Sequence, residues 1–286
     1  MTYSIVGRDE ASGELGVAVQ SRAFGVGFCA WARPGVGAAA TQSFTERGYG
    51  PRGLDLLAAG EAPRDTLAQL VEADEQRDFR QVAFLTADGR TAAHTGDACI
   101  PDCGHVERPG VSAQGNMLAS PTVWLAAADT FEATTGPLAE RLLAALDAAE
   151  AAGGDFRGRE SAALIVVSGD REEEPWERVF DLRVDNHAEP LQELRRLHGI
   201  AAAYRRRRDF GEQTDLEAEV ELARSAGLPE DQVAVTAAVI AVAHGDLDGA
   251  AAWLRPTGSS DPRWREALDR YVRLGFIPPG VLDRLG

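Results

Sequence analysis

A hairpin written into the first residues constrains this chain more than any other feature. Tyr3 to Arg8 reads as a strand, Asp9-Glu10-Ala11-Ser12-Gly13 has turn chemistry, and Leu15 to Ser21 reads as the returning strand. A chain that enters a sheet at its first residues has its terminus fixed rather than frayed. Two more small, Gly-rich apolar runs follow, Ala23 to Ala32 and Val36 to Gln42, joined by the turn Arg33-Pro34-Gly35. Phe24, Val26 and Phe28 alternate as a strand requires. Four strands in succession, with no helix between them, predict antiparallel pairing.

Helices enter next. Pro51 to Ala59 and Pro63 to Glu75 read as helical, the second with Leu67, Leu70 and Val71 on one face. Gln81 to Thr86 and Thr91 to Thr95 form a hairpin across Ala87-Asp88-Gly89-Arg90. Gly96 to Gly110 reads as a loop long enough to suggest function, and Val111 to Asn116 as a strand. Ser120 is a candidate N-cap with Pro121 at the first helical position, and Leu138 to Ala151 forms a further helix. Ala162 to Ser168 and Glu177 to Val184 read as strands. No βαβ alternation occurs, so the expected class is α+β, with helices covering two stacked sheets.

The tail has another character. Pro190 to Arg208 is Leu- and Arg-rich and helical, and Gly211 to Thr214 reads as a linker. Helices are expected over Asp215 to Ala226, Pro229 to His244, Asp246 to Leu254 and Pro262 to Leu274. The run from Gly245 to Leu254, with Asp261-Pro262-Arg263-Trp264 after it, is similar to a tetratricopeptide helical hairpin, in too few copies for a solenoid. The expected division is a domain over 1–198, a helical linker over 199–214 and a small all-helical domain over 215–286.

Charge and residue usage exclude whole classes of function. The net charge is −16, which opposes a nucleic-acid partner. No apolar run reaches the ~18 residues of a membrane span, and no signal peptide precedes Thr2, so a cytoplasmic protein is expected. All 29 basic residues are Arg, which rules out a Schiff-base Lys, a Ser-Lys dyad and a phosphate-loop Lys. The three cysteines, Cys29, Cys99 and Cys103, fit a reduced compartment. No G-x-S-x-G occurs and no G-x-G-x-x-G opens a βαβ unit, so neither a serine-hydrolase elbow nor a dinucleotide site is expected. The expectation is no cofactor and no metal. A small-molecule substrate is the expected partner, a homodimer the expected assembly, and the C-terminal helices the expected place for a protein partner.

The chemistry starts at Thr2. A small second residue permits removal of Met1, which would leave a Thr with its hydroxyl and a free α-amine on one framework. Such an amine titrates near ~8 and can take the hydroxyl proton. Ser4 lies two residues along and shares the face of Thr2, within reach of the amine. Hairpin pairing brings Ser21-Arg22 beside Thr2, where Arg22 could meet a substrate carboxylate. Gln114-Gly115-Asn116 supplies amide donors and a close backbone approach suited to an oxyanion. Gln42, after the fourth strand, could line the same pocket. His94, Asp97, Cys99, Cys103 and His105 cluster within twelve residues, as pocket-lining and loop-pinning groups or as a metal site, although C-x3-C-x-H is not a common zinc spacing.

Several of these stretches belong to one pattern. T-Y-S-I-V, G-E-L-G-V-A-V-Q-S-R, W-A-R-P-G-V-G-A-A-A-T-Q, H-T-G-D-A-C and Q-G-N-M-L, in that order, resemble the bacterial Ntn-hydrolase-like family called domain of unknown function 1028, over residues 2 to 198. The resemblance implies a four-layer αββα sandwich and raises Thr2 to the leading nucleophile. The Ser21-Arg22 step resembles the matching step of threonine hydrolases, but Gln20 stands where those place an Asp, and no Lys is available beside the nucleophile. Asn116 takes the oxyanion role that an Asn fills in related N-terminal hydrolases. Three functions are therefore open: an N-terminal-nucleophile amidohydrolase, a non-catalytic ligand- or protein-binding member, and a metal-dependent hydrolase using the loop from His94 to His105.

Overall fold

The structure, a computed structural model, describes residues 2–260, 262–275 and 277–285. Met1, whose removal the chemistry above requires, lies outside the described residues, as does Asp261 of the Asp261-Pro262 turn. The chain divides into two compact units, Met1–Arg195 and Arg196–Gly286. That boundary falls inside a helix, α5 below, and the expected linker over 199–214 is largely helical as well.

The first unit is α+β with two antiparallel sheets. In chain order its strands are β1 (Thr2–Arg8), β2 (Leu15–Ser21), β3 (Ala30–Arg33), β4 (Gly37–Ser43), β5 (Arg80–Thr86), β6 (Thr91–Thr95), β7 (Gly104–Arg108), β8 (Val111–Asn116), β9 (Ser161–Val167) and β10 (Phe180–Val184). One sheet has the order β10-β9-β2-β1-β8-β7 and the other β3-β4-β5-β6. Every pairing between these strands is antiparallel, as the strand order predicts. Strand β1 is central, flanked by β2 and β8, so Thr2 stands opposite Ser21 on one side and Asn116 on the other.

Period-two alternation decides which side chains meet. Val6, Val17, Val19, Ala163 and Ile165 from the larger sheet pack against Ala38, Ala40, Ala83 and Leu85 from the smaller. Each fully buried Val, Leu or Ile of this layer contributes about 1.5–3 kcal/mol relative to exposure. The opposite faces carry helices α1 (Tyr49–Ala58), α2 (Pro63–Glu72), α3 (Val123–Ala133) and α4 (Leu138–Ala151). Leu54, Leu57 and Leu70 of α1 and α2 cover Ala39, Val82 and Phe84. Helices α3 and α4 cover the larger sheet, and a Cβ added at Gly7 would lie 2.6 Å from the Phe131 ring, so only glycine admits that approach. Helix α2 starts as read, with Pro63 at its N-terminus, and its buried Pro63, Thr66 and Leu70 keep helical spacing.

Three local expectations change. Residues 24–28 are not a strand, because Gly25 turns the chain at φ 64° into a 3-10 turn over Val26–Cys29. Val26 and Cys29 are buried, three apart, while Phe24 of the apparent alternation is 68 % exposed. The expected loop 96–110 contains the edge strand β7, whose sequence Gly-His-Val-Glu-Arg has one aliphatic side chain and so no hydrophobic alternation to read. Ser120 does not cap a helix that begins at Pro121; its hydroxyl accepts from Thr122 N at 3.2 Å and α3 starts at Val123.

Helix α5 (Pro190–Arg206) crosses the unit boundary. The second unit continues with α6 (Leu216–Ser225), α7 (Glu230–Ala243), α8 (Leu247–Ser260), α9 (Pro262–Arg273) and α10 (Pro279–Leu282). Its core includes Ala238, Ala241, Ala250, Ala251, Leu254, Leu268 and Val281. Helix α8 runs through Pro256, two residues beyond the expected stop at Leu254. Among the described residues no helix is long and apolar enough to cross a membrane.

Candidate active site

The inner face at the start of β1 is polar, and its groups come from five strands. Thr2 Oγ1 donates to Ser21 Oγ at 3.1 Å, and Ser21 Oγ accepts from Ala23 N at the same distance. Gln42 Nε2 donates to Thr2 O at 3.1 Å and to Gln81 Oε1 at 2.8 Å. Ser4 Oγ donates to Gln42 Oε1 at 2.8 Å, and Gln114 Nε2 reaches Ser4 Oγ at 3.3 Å and Ala40 O at 3.2 Å. Asn116 Nδ2 donates to Gln81 Oε1 at 2.9 Å. Thr2 is 4 % exposed, and Ser21, Gln42, Gln81 and Asn116 are fully buried. Ser4 is therefore engaged by Gln42, and the proposed contact between Ser4 and the amine of Thr2 would compete with that bond.

Gln81 is the hub of this cluster, and sequence reasoning passed it over. Its Oε1 accepts from both Gln42 and Asn116, and its Nε2 reaches Thr95 Oγ1 at 2.9 Å, Gly115 O at 2.8 Å and Gly104 O at 3.1 Å. The available signal was its two-residue spacing from Ala83 and Leu85, which puts an amide at the head of an inward-facing row. Asp155 was missed for want of any local signal. Its side chain is buried, its Oδ2 accepts from Arg22 N at 3.1 Å, and Arg157 pairs with it at 2.8 Å. The bridge between Leu118 and Asp155 ties the same segment to the end of β8, so Asp155 spans from β2 to β8 just past Thr2.

His94 takes a position other than that expected for substrate binding, and Arg22, one residue past the Ser21 opposite Thr2, has its side chain engaged elsewhere. The Arg22 guanidinium pairs with Glu160. His94 lies opposite Val82, whose side chain belongs to the helix-covered face, and its Nε2 sits 3.0 Å from Arg77 O. It therefore points away from Thr2, because Thr95, one residue on, holds the inward position against Gln81. His105, on β7 two strands from Thr2, is 2.9 Å from Thr95 Oγ1, and burial pushes its imidazole below the ordinary value.

The cysteines and histidines of this region do not assemble a metal site. Cys99 Sγ donates to Arg80 O at 3.3 Å and Cys103 Sγ to Cys99 O at 3.9 Å, while His94 and His105 have the separate partners just given. Among the described residues no three His, Cys, Asp or Glu side chains gather as metal ligands would. Cys29, the last residue of the 3-10 turn, is a buried thiol pushed up to about 11 chiefly by desolvation, which keeps it protonated and inert.

One ion pair anchors the loop after β4. Arg80 Nε donates to Asp74 Oδ2 at 2.7 Å, and Arg80 Nη1 donates to Phe44 O at 2.6 Å. Hydrogen bonding from Arg80, and secondarily from Gln76 N and Tyr49, holds the Asp74 carboxyl below its ordinary 3.8. Because the folded value is the lower one, the contribution to stability is complete above 3.8 and fades as the pH falls through that value toward the folded one. Thermal melts between pH 6 and 3 are expected to show a smaller acid-side loss for Asp74→Asn than for the wild type; equal slopes would remove Asp74 from the acid response.

The family match now has a site to stand on. The model of a family of unknown function, DUF1028, matches residues 2–194, from Thr2 of β1 to Leu194 of α5. The chain belongs to the DUF1028 family. The DUF1028 match takes in every residue of the polar cluster, and excludes α6 to α10. The chain is similar to the crystal structure of protein SPO2555 from Silicibacter pomeroyi, itself described by the DUF1028 model. The two share 32 % identity and a TM-score of 0.63, over 69 % of this chain and 87 % of that one. No curated protein matches this member of the DUF1028 family.

Proposed function

We propose that the chain is an N-terminal-nucleophile amidohydrolase that cleaves a C–N amide bond of a small molecule, on an Ntn-type αββα frame, with Thr2 as nucleophile once Met1 is removed. The observation that supports this most directly is the position of Thr2. It begins the central strand, its hydroxyl is in hydrogen-bond contact with Ser21, and Asn116 stands in register beside it. In the proposed reaction Thr2 Oγ1 attacks the carbonyl carbon while the α-amine takes the hydroxyl proton, directly or through one water. Asn116 and a backbone N–H hold the oxyanion. The amine then returns the proton to the leaving nitrogen, and water cleaves the ester of Thr2.

Asn116 Nδ2 is engaged by Gln81 Oε1, and Asn116 Oδ1 is buried with no hydrogen-bond partner among the described residues. Support of an oxyanion therefore requires the amide to turn toward the substrate. Asn116→Ala is expected to lower kcat roughly 10²–10³-fold while KM changes little, since that bond exists only with the oxyanion. A KM effect with unchanged kcat would reassign Asn116 to binding.

A second reading, a non-catalytic ligand- or protein-binding member of the same fold, is favoured by the burial of Thr2 at 4 % exposure and by the mutual engagement of the neighbouring amides. Intact mass of the purified protein separates the two. Loss of one Met residue mass is required by the hydrolase reading, and a retained Met1 defeats it. A homodimer and a protein partner for the C-terminal helices complete the proposal, and light scattering of the pure chain reads the first.

A further inference from the structure

A concave site lies away from Thr2, where β3 at the edge of the smaller sheet runs against β9 of the larger. It is a cavity of about 440 Å³, within the range of small-ligand pockets. Its walls include Phe28, Trp31, Arg47, Arg178, Asp181 and Arg183. Three guanidiniums against one carboxylate give a local positive charge in a chain whose net charge is −16.

The state of those guanidiniums is the informative point. Arg183 Nε donates to Asp181 at 3.2 Å, which uses the one carboxylate of the wall. Among the described residues Arg178 donates only to backbone carbonyls, of Pro175 at 2.6 Å and Glu177 at 2.9 Å. The Arg47 guanidinium carbon sits over the Phe28 ring, 4.1 Å from its centroid. Among the described residues neither Arg47 nor Arg178 is ion-paired, whereas arginines elsewhere, such as Arg108, Arg141 and Arg195, meet carboxylates. Two cations left without counter-charge beside Phe28 and Trp31 are complementary to an anion with a flat ring. The guanidinium forks bind an oxyanion in a bidentate manner, and the aromatic walls and the Arg47 plane accept the ring by stacking.

We propose that this cavity binds a small planar aromatic molecule that carries one carboxylate or phosphate group. The site is independent of Thr2, and its test needs no turnover. Isothermal titration of the full chain at low salt would use phenyl phosphate and indole-3-acetate as probes, with benzyl alcohol and inorganic phosphate as controls. The expected result is saturable one-to-one binding of at least one aromatic anion, no binding of benzyl alcohol, and weaker, competitive binding of inorganic phosphate. Which anion binds distinguishes phosphate from carboxylate. The double variant Arg47→Ala, Arg178→Ala should weaken binding about tenfold or more. Neither side chain makes an ion pair, so the variant keeps the fold, and an unchanged melting temperature verifies that. Failure of both aromatic anions to saturate, equal binding of benzyl alcohol, or undiminished binding by the folded double variant would each overturn the proposal.

Discussion

Thr2→Ala is expected to abolish turnover of any amide that the wild-type chain hydrolyses, and to leave the fold in place. The variant keeps the terminal amine and the whole amide cluster, so only the attacking hydroxyl is lost. Without a nucleophile no ester can form, and the amine alone has no hydroxyl to activate. The stability cost is small but not zero, because the hydroxyl is buried and donates to Ser21 Oγ. Ser21 Oγ still accepts from Ala23 N, so about 1 kcal/mol is expected rather than unfolding. Thr2→Ser keeps both hydroxyl and amine and should retain part of the rate. The measurement is single-substrate kinetics on an amide found by screening small amides and acylated amines against the wild type. Wild-type rates in Thr2→Ala would end the N-terminal-nucleophile reading.

The second large effect is structural and centres on Gln81. Gln81→Leu conserves approximate volume and removes both ends of the amide. Asn116 Nδ2 and the carbonyls of Gly104 and Gly115 lose their bonds to Gln81, while Gln42 Nε2 keeps Thr2 O. Each buried polar group left unsatisfied costs about 1–3 kcal/mol, and relaxation recovers part of that, so about 3 kcal/mol is expected in sum. For a unit of this size that corresponds to a fall in Tm of roughly 6–12 °C. Differential scanning calorimetry reads it directly. Gln81→Glu should fare no better, since it replaces a buried donor by a buried charge. A Tm within a degree of wild type for Gln81→Leu would mean that water replaces the amide, and the site would then be wetter than its burial indicates.

Arg22 shows how far local reading extends. Its place beside Thr2 follows from hairpin register, which depends on a turn a few residues away. Its partner Glu160 is 138 residues distant and left no trace near Arg22. His94 makes the same point from the other side. The sequence shows a strand from Thr91 to Thr95, but which alternate face turns inward is decided by β5 stacked beneath β8.

Fold class, the hairpin and the approach of Thr2 to Ser21 were determined by the sequence alone, because period-two alternation, turn residues and short loops act over a few residues. The meeting of Gln42, Gln81, Gln114 and Asn116, the pairing of Asp155 with Arg22 N, and the placing of Arg47 and Arg178 at one cavity were decided by tertiary structure. Each depends on how two sheets stack, and burial then forces polar groups from distant segments to satisfy one another, which no local pattern records.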